Sequence, residues 1–433
     1  MREPPEDPLT AARPPRPPAP RCVADQPPAR PGTARLRVCH LITRLICGGA
    51  QRIALETVCF LAAQGWDVEF WAGPETGPEG SLWEEASRRG VRLRQVPDLR
   101  RAVAPLHDAR AFAWLTRAFR REAFDLVHTH SSKAGILGRL AAARAGVPLR
   151  VHSVHGWAMT PATGAPARML YTQLERLAAR RSRALIAVSA AVRDAGLARG
   201  IGRPGDYEVI HGAAPAAPRT DAAERARLRR ELGLPLEAVV LGTIGRLDHA
   251  KDPLGTWEAL SPLIEGNPNL WTVFVGDGPL RDALAGAVAR APGRERVRLA
   301  GLKPCAAALL PAFDLFFLGS RWEGFPLVVL EAMACGLPVV AYRVAGIGEA
   351  VLDGETGFLI APGDGALWRR RAGELAASRE MRERFGEAAR QRAAERFDLK
   401  DMLAGILALY DRWTVSTPEA QAAARPGRGL RPT

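Results

Sequence analysis

Twelve short apolar runs, each followed by a longer stretch with helical spacing, set the strongest limit on what this chain can form. LRVCHLI (36–42), WDVEFWA (66–72), VRLRQV (91–96), FDLVHTH (124–130), LRVHSVH (149–155) and ALIAVS (184–189) make a first series. AVVLGTIG (238–245), WTVFVGD (271–277), VRLAG (297–301), LFFLGS (315–320), PVVAY (338–342) and GFLIA (357–361) make a second. Strands separated by helix-length segments pair in parallel and need helices on both faces. The expected class is therefore α/β, with two doubly wound Rossmann-like domains. A chain of 433 residues is also too long for one ordinary core and fits two. Ligands of such sheets bind outside the carboxyl ends of the strands, so chemistry is sought there.

The remaining segments set boundaries. Residues 1–35 carry eleven prolines and repeated arginines with few large apolar residues, so a disordered tail is expected there and again at 415–433. The first domain is placed at 36–211, an Ala/Pro/Arg-rich linker at 212–236, the second domain at 237–397 and a last helix at 398–414. No apolar run approaches the roughly 20 residues that cross a bilayer, and the proline-broken N-terminus lacks the apolar core of a signal peptide. A cytoplasmic location is expected. Six cysteines without a C-x-x-C pair fit reduced, mostly buried thiols. A net charge of +14 makes nucleic acid a partner to consider. The arginines are scattered over helices, however, with no aromatic-interleaved motif, so nucleic acid is not expected, and attraction to anionic lipid or phosphorylated substrates is.

SRWEGFPLVVLEAMACGLP (320–338) holds Glu323 and Glu331 eight residues apart. The first acid stands before an apolar run and the second about two turns into it, so both can face one ligand. Phe325 to Val328 open the helix, whose unpaired N–H groups favour an anion, and Gly336 and Pro338 close it. GRLDHAKD (245–252) puts Arg246 and Lys251 in one loop at a strand end, where paired cations can neutralise a diphosphate. The chain has no Asp-X-Asp triplet to hold a divalent metal. VGDGPL (275–280) reads either as a tight turn or as a phosphate approach. In TRLICGGAQR, Gly48 and Gly49 precede a helix and let a backbone approach a ligand. His128 and His130 share one face of their strand, but a zinc site lacks a third ligand at recognisable spacing. His130, Ser131, Ser132 and Lys133 suit an acceptor phosphate or polar head group at a helix start. VHSVHGW ends a strand with His155.

Taken in order, these segments resemble the retaining GT-B glycosyltransferases, specifically glycosyltransferase family 4 with its E-x7-E signature. The resemblance spans about residues 36–413. It implies the GT-B architecture, two Rossmann-like domains facing a cleft, with the last helix crossing back to the first domain. It implies that Glu323 holds donor-sugar hydroxyls, that Glu331 holds the ribose, and that Arg246 and Lys251 bind the donor phosphates. Further donor contacts are implied at Gly48, Gly49, Gly276, Leu302, Gly324, Phe325, Leu327 and Val328, and His155 is placed at the reacting sugar. The implied activity is retaining, metal-independent transfer of a hexose from a nucleotide-diphosphate sugar, with UDP-sugars the leading donors. The acceptor would be a glycan or lipid-linked hydroxyl, as in bacterial surface polysaccharide or glycolipid synthesis, and no cofactor is expected. A catalytically idle scaffold that binds nucleotide or a protein partner remains the alternative. Where family members usually carry Asn-Gly after the final first-domain strand, this chain has His211 and Gly212.

Three further side chains carry expectations. Glu175 reads as an exposed helical acid and Ser189 as a helix cap. On residues 109–122, Arg110, Arg117 and Arg121 form a basic face with Trp114 among them. That face suits peripheral contact with anionic membrane, and Phe112, Leu115 and Phe119 oppose it.

Overall fold

The computed structural model describes residues 36–415 apart from 75–76, 78–79, 218 and 304. Both expected tails thus lie outside the described residues, save that the last helix runs to Val415. Two all-parallel sheets organise the chain. The first contains β1 (Arg37–Ile42), β2 (Asp67–Ala72), β3 (Arg92–Gln95), β4 (Leu126–His130), β5 (Leu149–Val154), β6 (Ala184–Ala187) and β7 (Tyr207–Val209), in the order β3-β2-β1-β4-β5-β6-β7. The second contains β8 (Val239–Ile244), β9 (Leu270–Val275), β10 (Val297–Gly301), β11 (Leu315–Leu318), β12 (Val339–Tyr342) and β13 (Gly357–Ile360), in the order β10-β9-β8-β11-β12-β13. The strand order reverses between β1 and β4 in one sheet and between β8 and β11 in the other. At such reversals the neighbouring helices leave on opposite faces and open a crevice at the strand ends.

Helices bury both faces of each sheet. On one face of the first, Val38 and Ile42 pack with Leu55 and Val58 of helix Gly49–Ala63, and the helix Leu399–Val415 adds Ile406 and Tyr410 to the same cluster. On the other, Leu41 and Trp71 meet Leu115 and Phe119. Helix Pro105–Glu122 therefore turns its apolar stripe inward, and Arg110, Arg117 and Arg121 are exposed. Trp114 does not join that basic face, because its ring packs 5.6 Å from Trp71. In the second sheet, Leu241, Phe274 and Phe317 pack with Trp257 and Trp368. Residues 222–231, within the expected linker, form a helix pinned to the second sheet by Arg225 and Arg229 on the carboxylate of Asp314, both at 2.6 Å.

One cluster spans the two domains, joining Val154, Met159 and Val192 to Phe325, Ile347 and Phe397. Polar contacts seal it. Glu349 accepts hydrogen bonds at 2.9 Å from both Ala190 and Ala191 N–H at the start of helix Ala190–Leu197, and His211 Nε2 lies 2.8 Å from the same carboxylate. These contacts hold the Glu349 carboxyl below its usual pKa against the effect of its burial. His211 thus fastens the domain junction. Ser189 caps the same helix through Val192 N–H at 3.1 Å and also donates to Gly324 O across the junction at 3.2 Å.

Candidate active site

The two crevices face each other, and most candidate residues lie at their rims. From the second domain, β8 leads into Gly245, Arg246 and Lys251, and β11 into Gly319, Ser320 and Glu323. Lys251 Nζ pairs directly with Glu323 Oε1, and Ser320 Oγ donates to the same oxygen at 2.6 Å. Asp248 braces the loop: it accepts from Arg246 Nε at 2.6 Å and from the Ala250 and Lys251 N–H groups at 3.0 and 3.1 Å. Arg321 ties the two loops together, its Nε on Asp252 at 2.8 Å and its N–H on Ala250 O at 2.8 Å. Cations and an acid are thereby gathered at the topological switch.

Helix Leu327–Ala334 begins behind Glu323 and carries Glu331 on its second turn. The Glu331 carboxylate has no hydrogen bond or ion pair among the described residues. Burial pushes its pKa up, which Arg52 of the facing domain partly opposes. An acid so placed is ready to accept hydroxyl donors. Phe325 is buried against His211 and Phe397, with ring centroids 5.4 and 5.5 Å away, so its backbone rather than its ring borders the cleft. Gly276 has φ +140° and an added Cβ would lie 1.9 Å from Gly245 O, so the VGDGPL turn packs directly on the Arg246 loop. Leu302 is 45% exposed beyond β10. Val328 and Leu327 are half-buried.

The first domain reaches the same place. A Cβ on Gly49 would sit 3.3 Å from Leu327 Cδ1, which brings the Gly48–Gly49 loop against the mouth of the Glu331 helix. A Cβ on Gly324 would sit 1.9 Å from His155 O, so only glycine allows the loop after Glu323 to meet the end of β5. His155 therefore stands at the junction within the cleft.

Behind it lies a feature the sequence did not reveal. His155 Nε2 is 3.1 Å from His130 Nδ1, and His130 Nε2 is 3.0 Å from His40 Nδ1. His40 Nε2 lies 3.4 Å from the Tyr410 hydroxyl, which contacts His128 Nδ1, and His128 Nε2 is 2.7 Å from Ser153 Oγ. Register builds this chain: His40 sits opposite His128 and His130 opposite Ser153 on neighbouring strands. Burial holds His155 down to about 4, His40 to about 3, and His128 and His130 well below the usual imidazole range, so all four rings are neutral.

Several expectations need correction. His130 cannot touch an acceptor, being 1% exposed with both ring nitrogens engaged. Lys133 pairs with Asp108 at 2.7 Å and with Ala102 O, which directs it away from a ligand. Ser131 precedes helix Ser132–Ala145, but its hydroxyl is bonded to Thr43 Oγ1 at 2.7 Å, and Ser132 is half-buried at the first helical position. The missing third histidine is supplied by β1, since His40, His128 and His130 each bring a ring nitrogen within 4.8 Å of the others. Those nitrogens are, however, already used in the hydrogen-bonded chain. Glu175 is not exposed: at 1% exposure it pairs with Arg139 at 2.5 Å. Of five described thiols only Cys39 and Cys59 are buried, while Cys47 and Cys305 are exposed.

Comparison with known proteins agrees with this geometry. The family model described as glycosyl transferases group 1 matches residues 224–392, and a glycosyl transferase 4-like domain matches 48–213. The chain is 32% identical over 331 residues to an Escherichia coli UDP-Gal:alpha-D-GlcNAc-diphosphoundecaprenol alpha-1,3-galactosyltransferase, covering 76% of this chain and 84% of that one. It is 31% identical to a D-inositol 3-phosphate glycosyltransferase of Corynebacterium efficiens, covering 80% and 86%. Among solved structures, Anabaena HepE in complex with UDP-glucose superposes with a TM-score of 0.74 at 22% identity, covering 87% of this chain and all of that one. WaaG, a glycosyltransferase involved in lipopolysaccharide biosynthesis, superposes with a TM-score of 0.67 at 19% identity, covering 85% and 98%. Two parallel sheets facing across a cleft, lined where their strand order reverses by the motifs of one family, make this chain a member of the group 1 glycosyltransferases with the GT-B fold.

Proposed function

We propose that the protein transfers a hexose, with retention of configuration and without a divalent metal, from a UDP-sugar to a hydroxyl of a lipid-linked glycan acceptor in the synthesis of a bacterial surface polysaccharide or glycolipid. The observation that carries this reading is the Lys251–Glu323 pair beside Arg246 at the second-domain switch, directly across from His155. On ligand entry Lys251 and Arg246 turn to the diphosphate, and Glu323, freed from Lys251, takes sugar hydroxyls. Glu331 takes the ribose hydroxyls. The acceptor oxygen attacks the anomeric carbon from the face that the diphosphate leaves, the bond from that carbon to the phosphate oxygen breaks, and the leaving oxygen takes the acceptor proton. Arg246, Lys251 and the helix opening at Leu327 stabilise the charge that develops on that oxygen. The exposed Arg110, Arg117 and Arg121 draw the first domain to anionic head groups, in keeping with a lipid-linked acceptor.

A panel of UDP-, GDP- and ADP-sugars with a lipid-diphosphate-linked GlcNAc acceptor, run in excess EDTA, tests the reading. Nucleotide release with UDP-sugars and an axial product linkage from an axial donor are expected. Release from no donor would leave the idle scaffold, and dependence on Mn²⁺ or Mg²⁺ would remove the metal-free mechanism.

A further inference from the structure

The chain of rings behind His155 has a direction, and its far end sets it. A neutral imidazole carries one N–H and one lone pair, and a phenol or serine hydroxyl carries one hydrogen. A hydroxyl oxygen can also accept twice, but Tyr410 accepting from both His128 and His40 would leave its buried phenol hydrogen without an acceptor among the described residues, so two arrangements of the file remain. Either every link donates towards His155 or every link donates away from it. Ser153 terminates the file in the buried wall of the first domain, and its hydroxyl has no hydrogen bond among the described residues other than that to His128 Nε2. If the file ran away from His155, His128 would donate to Ser153 and the serine hydrogen would be left buried without an acceptor. A buried hydroxyl so stranded is costly. If the file runs towards His155, every hydrogen finds an acceptor: Ser153 to His128 Nε2, His128 Nδ1 to Tyr410, Tyr410 to His40 Nε2, His40 Nδ1 to His130 Nε2, and His130 Nδ1 to His155 Nε2.

We infer that Ser153, acting through His128, Tyr410, His40 and His130, fixes His155 as the tautomer that carries its hydrogen on Nδ1, so that His155 meets the cleft as a hydrogen-bond donor and not as a base. These residues are positioning residues, with no contact to substrate of their own. Nδ1 is the His155 nitrogen that has no hydrogen bond among the described residues, and His155 stands against Gly324 beside Glu323. Accepting a proton would put a charge on a half-buried ring, which desolvation opposes. The donor fits an oxygen of the transferred sugar, an assignment that rests on the reading given under Proposed function. Tyr410 lies 282 residues from His128, so helix Leu399–Val415 completes the orientation of a group in the cleft.

Nitrogen-15 NMR of the intact protein labelled in its eight histidines reads the tautomer directly. His155 is assigned by the resonances lost in His155→Gln. Nδ1 protonated and Nε2 unprotonated are expected in the wild-type protein without ligand. Ser153→Ala removes the terminal donor and is expected to give a mixture of tautomers and about a tenfold loss of kcat at unchanged donor KM, while Ser153→Thr, which keeps the hydroxyl, restores both. Tyr410→Phe severs the same file and provides the second variant should Ser153→Ala fail to fold. An Nε2-protonated His155, a tautomer indifferent to both variants, or stoichiometric zinc bound by the rings would overturn the inference. The tautomer is measured without turnover. A protein that transfers no sugar from any donor would therefore defeat the proposed function and leave this result standing.

Discussion

The two sheets present opposite chemistry to one cleft. At the second-domain switch the working groups are ions: Arg246 on Asp248, Lys251 on Glu323 and Arg321 on Asp252, all partly open to solvent. At the first-domain switch they are neutral rings joined in file from Ser153 to His155, all buried but the half-buried His155. Partly solvated ions can exchange partners at little cost, as a site that must take in and release a diphosphate requires. Buried neutral groups cannot rearrange singly, which suits a wall that holds one sugar orientation. Under the proposed function, affinity and orientation fall to different domains.

Removing the ionic side should have the largest effect. Arg246→Ala with Lys251→Ala is expected to abolish measurable nucleotide-sugar binding in calorimetry while the thermal midpoint stays close to wild type; retained affinity would mean that charge is not what the second domain contributes. Next, Glu323→Ala is expected to lower kcat by about 100-fold with nucleotide affinity nearly intact, whereas Glu331→Ala mainly weakens nucleotide binding. Equal effects of the two on both parameters would erase the distinction between sugar and ribose.

Acid should separate the two domains. A histidine whose folded pKa is depressed binds its proton in the unfolded chain first, so the folded state is fully stable above about pH 6.5 and loses stability as pH falls from there towards 4. His40, His128, His130, His152 and His155 all lie in the first domain with depressed values. The midpoint is expected to drop by about 5–10 °C between pH 7 and pH 5, with hydrogen exchange accelerating in β1, β4 and β5 before the second sheet. Uniform acceleration would count against the contrast. Charge reversal at Arg110, Arg117 and Arg121 is a smaller test: salt-sensitive sedimentation with anionic vesicles should fall to the level seen with neutral ones, and indifference to both in the wild type would retire the membrane contact. Smallest of all, Glu331→Gln should raise the midpoint of the ligand-free protein by a few degrees, because it relieves an acid whose burial disfavours its charge.

The sheets were legible because each strand states itself locally. Runs such as FDLVHTH and WTVFVGD need only composition and length, and ten further strands agree with β4 or β9 in kind; β7 was missed because Tyr207–Val209 offers three residues to a pattern that needs more. The loop ions were legible for the same reason, since Arg246 and Lys251 or Glu323 and Glu331 lie within single segments. What could not be read depends on register and distance. His40 is one histidine in an apolar strand until β1 sets it beside His128. Glu175 looks exposed by helical spacing until helix Ser132–Ala145 brings Arg139 to it, and nothing near Glu349 signals that it will meet Ala190, Ala191 and His211 of the other domain.

The return of helix Leu399–Val415 to the first sheet also orders events in time. Tyr410 is fully buried in the core of the domain whose strands are translated first. During synthesis that sheet can pair its strands, yet one of its walls stays open until residues 399–415 leave the ribosome. The domain begun first is thus the last to be completed, and its neighbour, whose strands all lie between 239 and 360, can close beforehand. A chain ending at Phe397 should accordingly keep a folded second domain beside a first domain that exposes Val38, Leu55 and Val58, and helix Leu399–Val415 acts as the timer for the first domain.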